Sequence, residues 1–459
     1  MKTKKSDRRA FLKGSAALAG LAAFANGKAL AEATPEDAAI LKTQGVTPDE
    51  PNIQDLLYGG RSRYEGEVYR VHSPGALALV GLRNLTPLQD SIGAITPASL
   101  HFLVNRELVL PNLNPKEHTL IIHGMVERPL IFTMEELKRL PSVSRRHFVE
   151  CTGNSGLYHY RQHVMDEKKL GRKDQHVITS VHGRLSCSEW TGVPLSLLLK
   201  EAGVKKGASW IVSEGGDTER HVKSLPLAKA MDDAMVAYGQ NGEAIRREQG
   251  YPIRLLTPGF QGVNNVKFLR SIKVVDKPYY LQSEISAYTN LHPDGKAAWY
   301  EYQVGPKSLI TFPSDPHTLP GPGFYEISGV AWCGRGKIAR VEVSTNGGQT
   351  WKDADLQQPI FSKAWTRFHH PWIWDGTETV IMSRTTNEYG DIQPTIQELA
   401  TLWGADRTPA IPGEQVLAQW ESAQMSTYLC NMIQKWKVSP DGSIHDATYS
   451  TLPFYDFHL

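Results

Sequence analysis

Near residue 305 the chain changes its pattern, and that change constrains the fold more than any other feature. Before it, helix and strand signals alternate. Thr133-Met134-Glu135-Glu136 has the spacing of a capping box and predicts a short helix that Pro141 ends. Pro194 stands where a second helix starts, Leu195, Leu198, Leu199 and Ala202 share one helical face, and Gly203 stops it. Apolar runs at 210–212 and 253–256 read as strands. After 305 helix signals vanish and short alternating strands separated by turns take over. "GKIARVEVSTNGGQTW" (336–351) puts Val341 and Val343 on one face, turns at Asn346-Gly347-Gly348 and returns through Trp351, and "TETVIMSRTTNEYGDIQP" (377–394) repeats the style. The expectation is an α+β domain over 99–300, an immunoglobulin-like β-sandwich over 301–430 and a C-terminal tail over 431–459. Residues 32–98, with their polar stretch at 47–55 and the Gly59-Gly60 turn, are expected to run extended over the main domain.

The N-terminus carries an address. Five lysines or arginines precede residue 10, Asp7-Arg8-Arg9-Ala10-Phe11-Leu12-Lys13 follows the order of a twin-arginine export signal, and Ala29-Leu30-Ala31 offers a small-x-small cleavage site. The weakly apolar run 14–27 is too short and too rich in Ala and Gly for a membrane span. A periplasmic protein, exported after folding around a cofactor, is the expectation. Removing residues 1–31, which hold seven Lys or Arg and one acid, leaves 428 of 459 residues and turns the formal net charge from +2 to −4. No basic stripe remains for a phosphate backbone, which argues against nucleic acid as a partner. Cys151, Cys187, Cys333 and Cys430 are far apart, form no C-x-x-C pair and make no disulfide framework or haem attachment site.

Cys151, in "HFVECTGNSG" (147–156), leaves an apolar strand and enters a turn with Gly153, Asn154, Ser155 and Gly156. Four readings compete. It is core filler, as free cysteines often are. It is a nucleophile, which needs a histidine base such as His147, His159 or His163. It belongs to a zinc site, which needs further Cys, His or acidic ligands at working spacing. Or it is the one protein thiolate on a soft redox metal whose other ligands come from an organic cofactor. The last reading requires cations and backbone amides for an anionic cofactor. "GYPIRLLTPGFQGVNNVKFLRSIKVV" (250–275) offers Arg254 on an apolar strand, a Pro-Gly-Phe-Gln-Gly turn, then Asn264, Asn265 and Lys267. A buried arginine calls for an anion, either a phosphate or a core carboxylate.

"HFVECTGNSG", "HGRLSCSEWTGVPLSLLLKEAGV" (182–204), "AMVAYGQNGEAIRREQGYPIRLLTPGFQGVNNVKFL" and "GVAWCGRGKIARVEVSTNGGQTW" together resemble the molybdenum-containing sulfite oxidase family, in order, from about residue 95 to 405. Within it, "SCSEWTGVPL" and "GNSG" are most similar to the sulfane dehydrogenase branch. The resemblance implies a Mo-molybdopterin domain followed by an immunoglobulin-like domain that mediates dimerisation. It makes Cys151 the molybdenum ligand. Asn105, Arg106, Asp217, Arg254, Asn265, Val266 and Lys267 fall at cofactor-holding positions, and Tyr288 matches the tyrosine beside the reacting oxygen. Arg335 or Lys337 falls where the second domain lends a cation to the pocket. There are departures. Val104 stands at a family arginine, Arg106 where a histidine is frequent, Gly156 where sulfite oxidases continue with arginine, and Gln249 where a histidine meets the cofactor.

The activity implied is oxygen-atom transfer to reduced sulfur, with electrons leaving to a c-type cytochrome because this chain has no haem site. A homodimer, or a heterotetramer with the cytochrome, is expected. With two family arginines replaced, by Val104 and Gly156, the pocket mouth should be less cationic and roomier. That favours a sulfane sulfur carried on a sulfur-carrier protein over free sulfite. Sulfite oxidation is the alternative, and a cofactor-free binding or assembly protein on the same fold is the rival from another class.

Overall fold

The computed structural model describes residues 58–59, 68–72, 83–105, 109–156, 160, 163, 176–217, 221–281, 284, 288–291, 297–299, 302–403 and 430–449. The export signal, the 47–55 stretch, Gly60, Arg106 and His159 lie outside them. Residues 67–459 form one compact unit.

Within it the chain forms β1 (Val71–His72), β2 (Arg83–Leu85), β3 (Leu103–Val104), β4 (Thr119–Gly124), β5 (Leu130–Thr133), helix α1 (Met134–Arg139) and β6 (Val143–Glu150). Then come β7 (Leu185–Pro194), α2 (Leu195–Ala202), β8 (Trp210–Gly215), β9 (Val222–Pro226), β10 (Met235–Gln240), β11 (Glu243–Ala244), β12 (Arg254–Leu256) and β13 (Leu269–Val275). They make a small sheet β1-β2-β3 and two five-stranded sheets. One is ordered β11-β10-β7-β6 with β12 on β10, the other β5-β4-β13-β8-β9. The β4–β13 pair is parallel.

Both helices begin and end as their sequences require. At α1 the Thr133 hydroxyl accepts from the Glu136 amide at 3.2 Å, and the Glu136 carboxylate accepts from the Thr133 amide at 2.8 Å. Two otherwise unpaired helix N–H groups are thereby satisfied. Thr133→Ala is expected to cost about 1 kcal/mol, read as a shift in the denaturant midpoint at unchanged slope. At α2, Pro194 precedes the first turn and Gly203 closes it at φ 70°, where a Cβ would also press on Glu127. Leu195, Leu198, Leu199 and Ala202 bury the predicted face between the two sheets, against Leu120, Ile122, Ile211, Val236 and Leu255. Each leucine so buried stabilises the fold by roughly 1.5–3 kcal/mol.

The second region comprises β14 (Thr289–Leu291), β15 (Ala297–Trp299), β16 (Lys307–Phe312), β17 (Gly323–Trp332), β18 (Ile338–Ser344), β19 (Lys352–Asp353), β20 (Asp355–Leu356), β21 (Thr366–Trp374) and β22 (Thr379–Asn387). They are followed by helix α3 (Ile396–Trp403), β23 (Lys435–Val438) and β24 (Ile444–Asp446). Two sheets, β16-β17-β21-β20 and β19-β18-β22-β23-β24, share one core of Leu309, Ile327, Trp332, Val341, Val343, Ile381 and Trp436. This is the sandwich expected after residue 305, with the predicted 341/343 face buried.

The structure corrects three expectations. The first region is mostly β, with only short helices among the described residues. Helix α3 lies in the stretch read as free of helix signals, although Thr395 and Glu398 form a second capping box. Residues 431–449 are no tail, because β23 pairs with β22 and β24 with β23, so they complete the second sheet. The segment 83–100 does lie over both regions. Thr86 binds the Gly183 carbonyl, and Trp365 Nε1 donates to the Ala94 carbonyl at 2.6 Å.

Candidate molybdopterin site

The last four residues of β6, His147 to Glu150, are buried, and the chain then turns at Cys151. The turn is built by Asn154, whose Nδ2 donates to Glu150 Oε1 at 2.8 Å while its Oδ1 accepts from the Arg184 amide. The Asn154 amide closes onto the Cys151 carbonyl at 2.9 Å. Ser155 sits at φ 63°, a left-handed conformation that an L-residue keeps only where its surroundings over-determine it. Here they do. Ser155 Oγ accepts from Lys307 Nζ at 2.6 Å and lies 2.6 Å from His182 Nδ1, and its carbonyl accepts from Tyr449 OH at 2.7 Å. Opposite the cysteine, the 262–264 turn approaches so closely that a Cβ on Gly262 would stand 2.8 Å from the Glu150 carbonyl oxygen.

Cys151 is half-buried and opens onto a cavity lined also by His101, Val104, Asn105, Asp217, Arg254, Asn265, Lys267 and Tyr288. The other three cysteines are buried and form no disulfide, and burial pushes the Cys187 thiol up to about 12. Core filler describes those three, not Cys151. Two of the three histidines proposed as bases serve elsewhere: His147 Nδ1 bonds the Lys363 carbonyl and His163 Nδ1 the Ser180 hydroxyl. Among the described residues no three His, Cys, Asp or Glu side chains gather as a metal set. Among the described residues, Cys151 thus faces the cavity with no metal set around it and with neither His147 nor His163 turned to serve as its base.

Arg254 decides between a core ion pair and an external anion. It is 2% exposed, its guanidinium lies 5.0 Å over the Trp190 ring, and NH1 and NH2 donate to the Gln249 and Asn265 carbonyls. No described carboxylate pairs with it, and its Nε has no partner. Burial lowers its pKa to about 9. Lys267 donates to the Glu248 carbonyl at 2.8 Å and to Asn105 Oδ1 at 3.3 Å, and burial together with Arg254 holds its pKa down at about 7. Arg254 and Lys267, neither ion-paired to a described carboxylate, together with an unpartnered Asn105 Nδ2 form a site that an anionic group completes. Asp217 holds the rim by accepting from the His221 amide, and Lys223 Nζ lies 4.0 Å over the Tyr288 ring.

Four expected features fall elsewhere. Val266 is fully buried in the core beside the cavity, its carbonyl paired with Leu255. Arg335 and Lys337 are exposed, and Arg335 faces Asp391 at 3.6 Å and the Tyr389 ring. Neither lines the cavity. The cation that the second region does bring toward Cys151 is Lys307, at the head of β16, 2.9 Å from Glu150 Oε1. With Cys151 it lines a smaller pocket. A lysine at a strand start ordinarily points to water, which hid it in the sequence. Gly156 is buried beneath the ring of contacts around Ser155 and is not part of a mouth.

The fold and this cavity define a molybdopterin-binding oxidoreductase, and comparison with known proteins agrees. Residues 107–282 match the model of the oxidoreductase molybdopterin binding domain, and 296–408 that of the Mo-co oxidoreductase dimerisation domain. The structure resembles the sulfane dehydrogenase SoxCD from Paracoccus pantotrophus with a TM-score of 0.73 and 34% identity, covering 87% of this chain and 95% of that one. NADH nitrate reductases are also similar. That of Solanum lycopersicum is 32% identical over 319 residues (61% of this chain, 33% of that protein), and that of Cichorium intybus is 32% identical over 379 residues (71% and 39%). The chain therefore spans between a third and two fifths of the length of those reductases. It belongs to the sulfite oxidase family of molybdopterin oxidoreductases, and its cofactor is Mo-molybdopterin.

Proposed function

We propose that the protein oxidises sulfane sulfur presented by a sulfur-carrier protein and passes the electrons to a c-type cytochrome. When bound, the cofactor supplies two-electron oxygen-atom transfer. Each cycle adds one water-derived oxygen to the sulfur and releases two protons and two electrons, which the cytochrome takes one at a time. Cys151 is the thiolate that ligates and tunes the metal. Arg254, Lys267, Asn105 and Asn265 hold the anionic part of the cofactor, and Asp217 holds the rim. Tyr288, with the Lys223 ammonium on its ring, orders the oxygen side of the pocket. We take 99–300 as the cofactor domain and the sandwich, extended to residue 449, as the dimerisation domain of a homodimer or of a heterotetramer with the cytochrome. Export to the periplasm through the Arg8-Arg9 signal completes the reading. No helix among the described residues is long and apolar enough to cross a membrane.

The observation that carries the substrate is how few cations, among the described residues, stand near Cys151 apart from the cofactor-holding pair Arg254 and Lys267. Position 104 is valine, Lys307 is matched by Glu150, and Arg335 is turned to Asp391. A small dianion such as sulfite calls for several fixed cations, each worth roughly 1.5–3 kcal/mol as a charge-assisted bond. A sulfur atom on a neutral protein arm does not. The similarity to SoxCD over nearly its whole length supports the same reading. Steady-state kinetics with a c-type cytochrome acceptor test it: turnover with a sulfur-loaded carrier should exceed that with free sulfite about tenfold or more. Efficient sulfite turnover indifferent to the carrier would make the protein a sulfite dehydrogenase, and reduction of nitrate would overturn the sulfur assignment altogether.

A further inference from the structure

We infer that His101 binds the heterocyclic ring of the cofactor, its Nε2 accepting a hydrogen bond from a ring N–H. The inference rests on molybdopterin occupying the cavity beside Cys151. His101 is 1% exposed and lines that cavity together with Arg254 and Asn105. Its Nδ1 lies 3.1 Å from the Phe102 carbonyl oxygen. A carbonyl only accepts, so Nδ1 carries the ring proton and Nε2 keeps its lone pair. Nε2 is buried with no hydrogen-bond partner. The ring is fixed by stacking on Phe102 (5.2 Å, 21°) and by the edge of Trp190 (5.7 Å, 80°). Burial, with Arg254 and Lys267 nearby, lowers its pKa to about 3 and keeps it neutral.

Three buried side-chain atoms of the cavity wall thus lack partners, and they differ in kind. Asn105 Nδ2 and Arg254 Nε are donors, whereas His101 Nε2 is an acceptor. A bare oxyanion satisfies the first two and leaves the third buried and unmade, which is unfavourable. A ligand that satisfies all three brings acceptor oxygens and an N–H in one molecule, as a phosphorylated pterin does. The neighbouring Gln249 does not compete for the role, because its acceptor Oε1 faces Arg254 NH1 at 3.4 Å while its Nε2 donates to the Phe102 carbonyl at 3.0 Å.

The test compares the wild-type holoprotein with His101→Phe and His101→Gln. It measures pterin per chain at purification, the rate of pterin release, and the affinity of cofactor-free protein for inorganic phosphate. His101→Phe should release pterin about tenfold faster, the loss of one hydrogen bond, and His101→Gln, which keeps an acceptor, should fall between. Phosphate affinity should not change. Retention of pterin at the wild-type rate in both variants would refute the role. A fall in phosphate affinity parallel to that of the cofactor would refute it too, because it would make His101 an anion ligand. Wild-type protein that carries no molybdopterin at any stage fails the cofactor reading itself and takes this inference with it.

Discussion

Cys151→Ser is expected to leave a folded protein that still takes up its cofactor but turns over about a hundredfold more slowly or worse. Serine is nearly isosteric, and the turn around position 151 is held by Asn154, Arg184 and Ser155, which the change does not touch. Arg254, Lys267 and Asn105 still grip the anionic part of the cofactor, so molybdopterin content should stay near one per chain. The metal, however, loses a soft thiolate for a hard alcohol that is not ionised at neutral pH. Loss of a mere outer-shell partner costs roughly 10–100-fold at metal sites, and the ligand itself should cost at least that. Metal analysis alongside kinetics separates the two effects. Native turnover by the serine variant would remove Cys151 from the metal.

Lys307→Met should be the most destabilising substitution considered for this protein. The Lys307 and Glu150 side chains are 3% and 7% exposed, and the ammonium spans Glu150 Oε1 and Ser155 Oγ. Removing it leaves a carboxylate buried against Trp332 Nε1 and Asn154 Nδ2 without a counter-charge. Breaking one side of a buried ion pair typically costs about 3–5 kcal/mol. The double variant Lys307→Met/Glu150→Gln keeps the shape and drops both charges, and should regain much of that loss. Thermal melting of the three proteins reads the cycle. A single variant as stable as the wild type would show that the pair contributes nothing, and that the second region does not anchor the cysteine turn through it.

What was legible in the sequence was local or strongly patterned. The α1 capping box, the Pro194 to Gly203 helix and the 341/343 strand face each depend on residues within a turn or two of one another. Arg254 stood out because a charge inside an apolar strand is costly wherever the strand lies. The missed features depend on distant partners. Nothing within ten residues of Lys307 says that Glu150 awaits it, and nothing local to "CGRGK" says that Arg335 will face Asp391 rather than the cavity. His101 gives no local sign that Phe102 and Trp190 will fix its ring. The membership of 431–449 in the second sheet is likewise invisible, because β22 and β23 are separated by a long intervening segment. Helix α3 is the exception: its capping box was local and was outweighed by the strand pattern before it.

The hydrogen bond from Tyr449 to the Ser155 carbonyl joins residues 294 positions apart, and His182 reaches Gln434 at 3.0 Å across a similar span. A nascent chain emerging from the ribosome therefore makes its cysteine turn well before the residues Gln434 and Tyr449 that clasp it. The contacts that over-determine the left-handed backbone of Ser155 thus become available in turn, from His182, then Lys307, then Tyr449, in the order in which the chain is made.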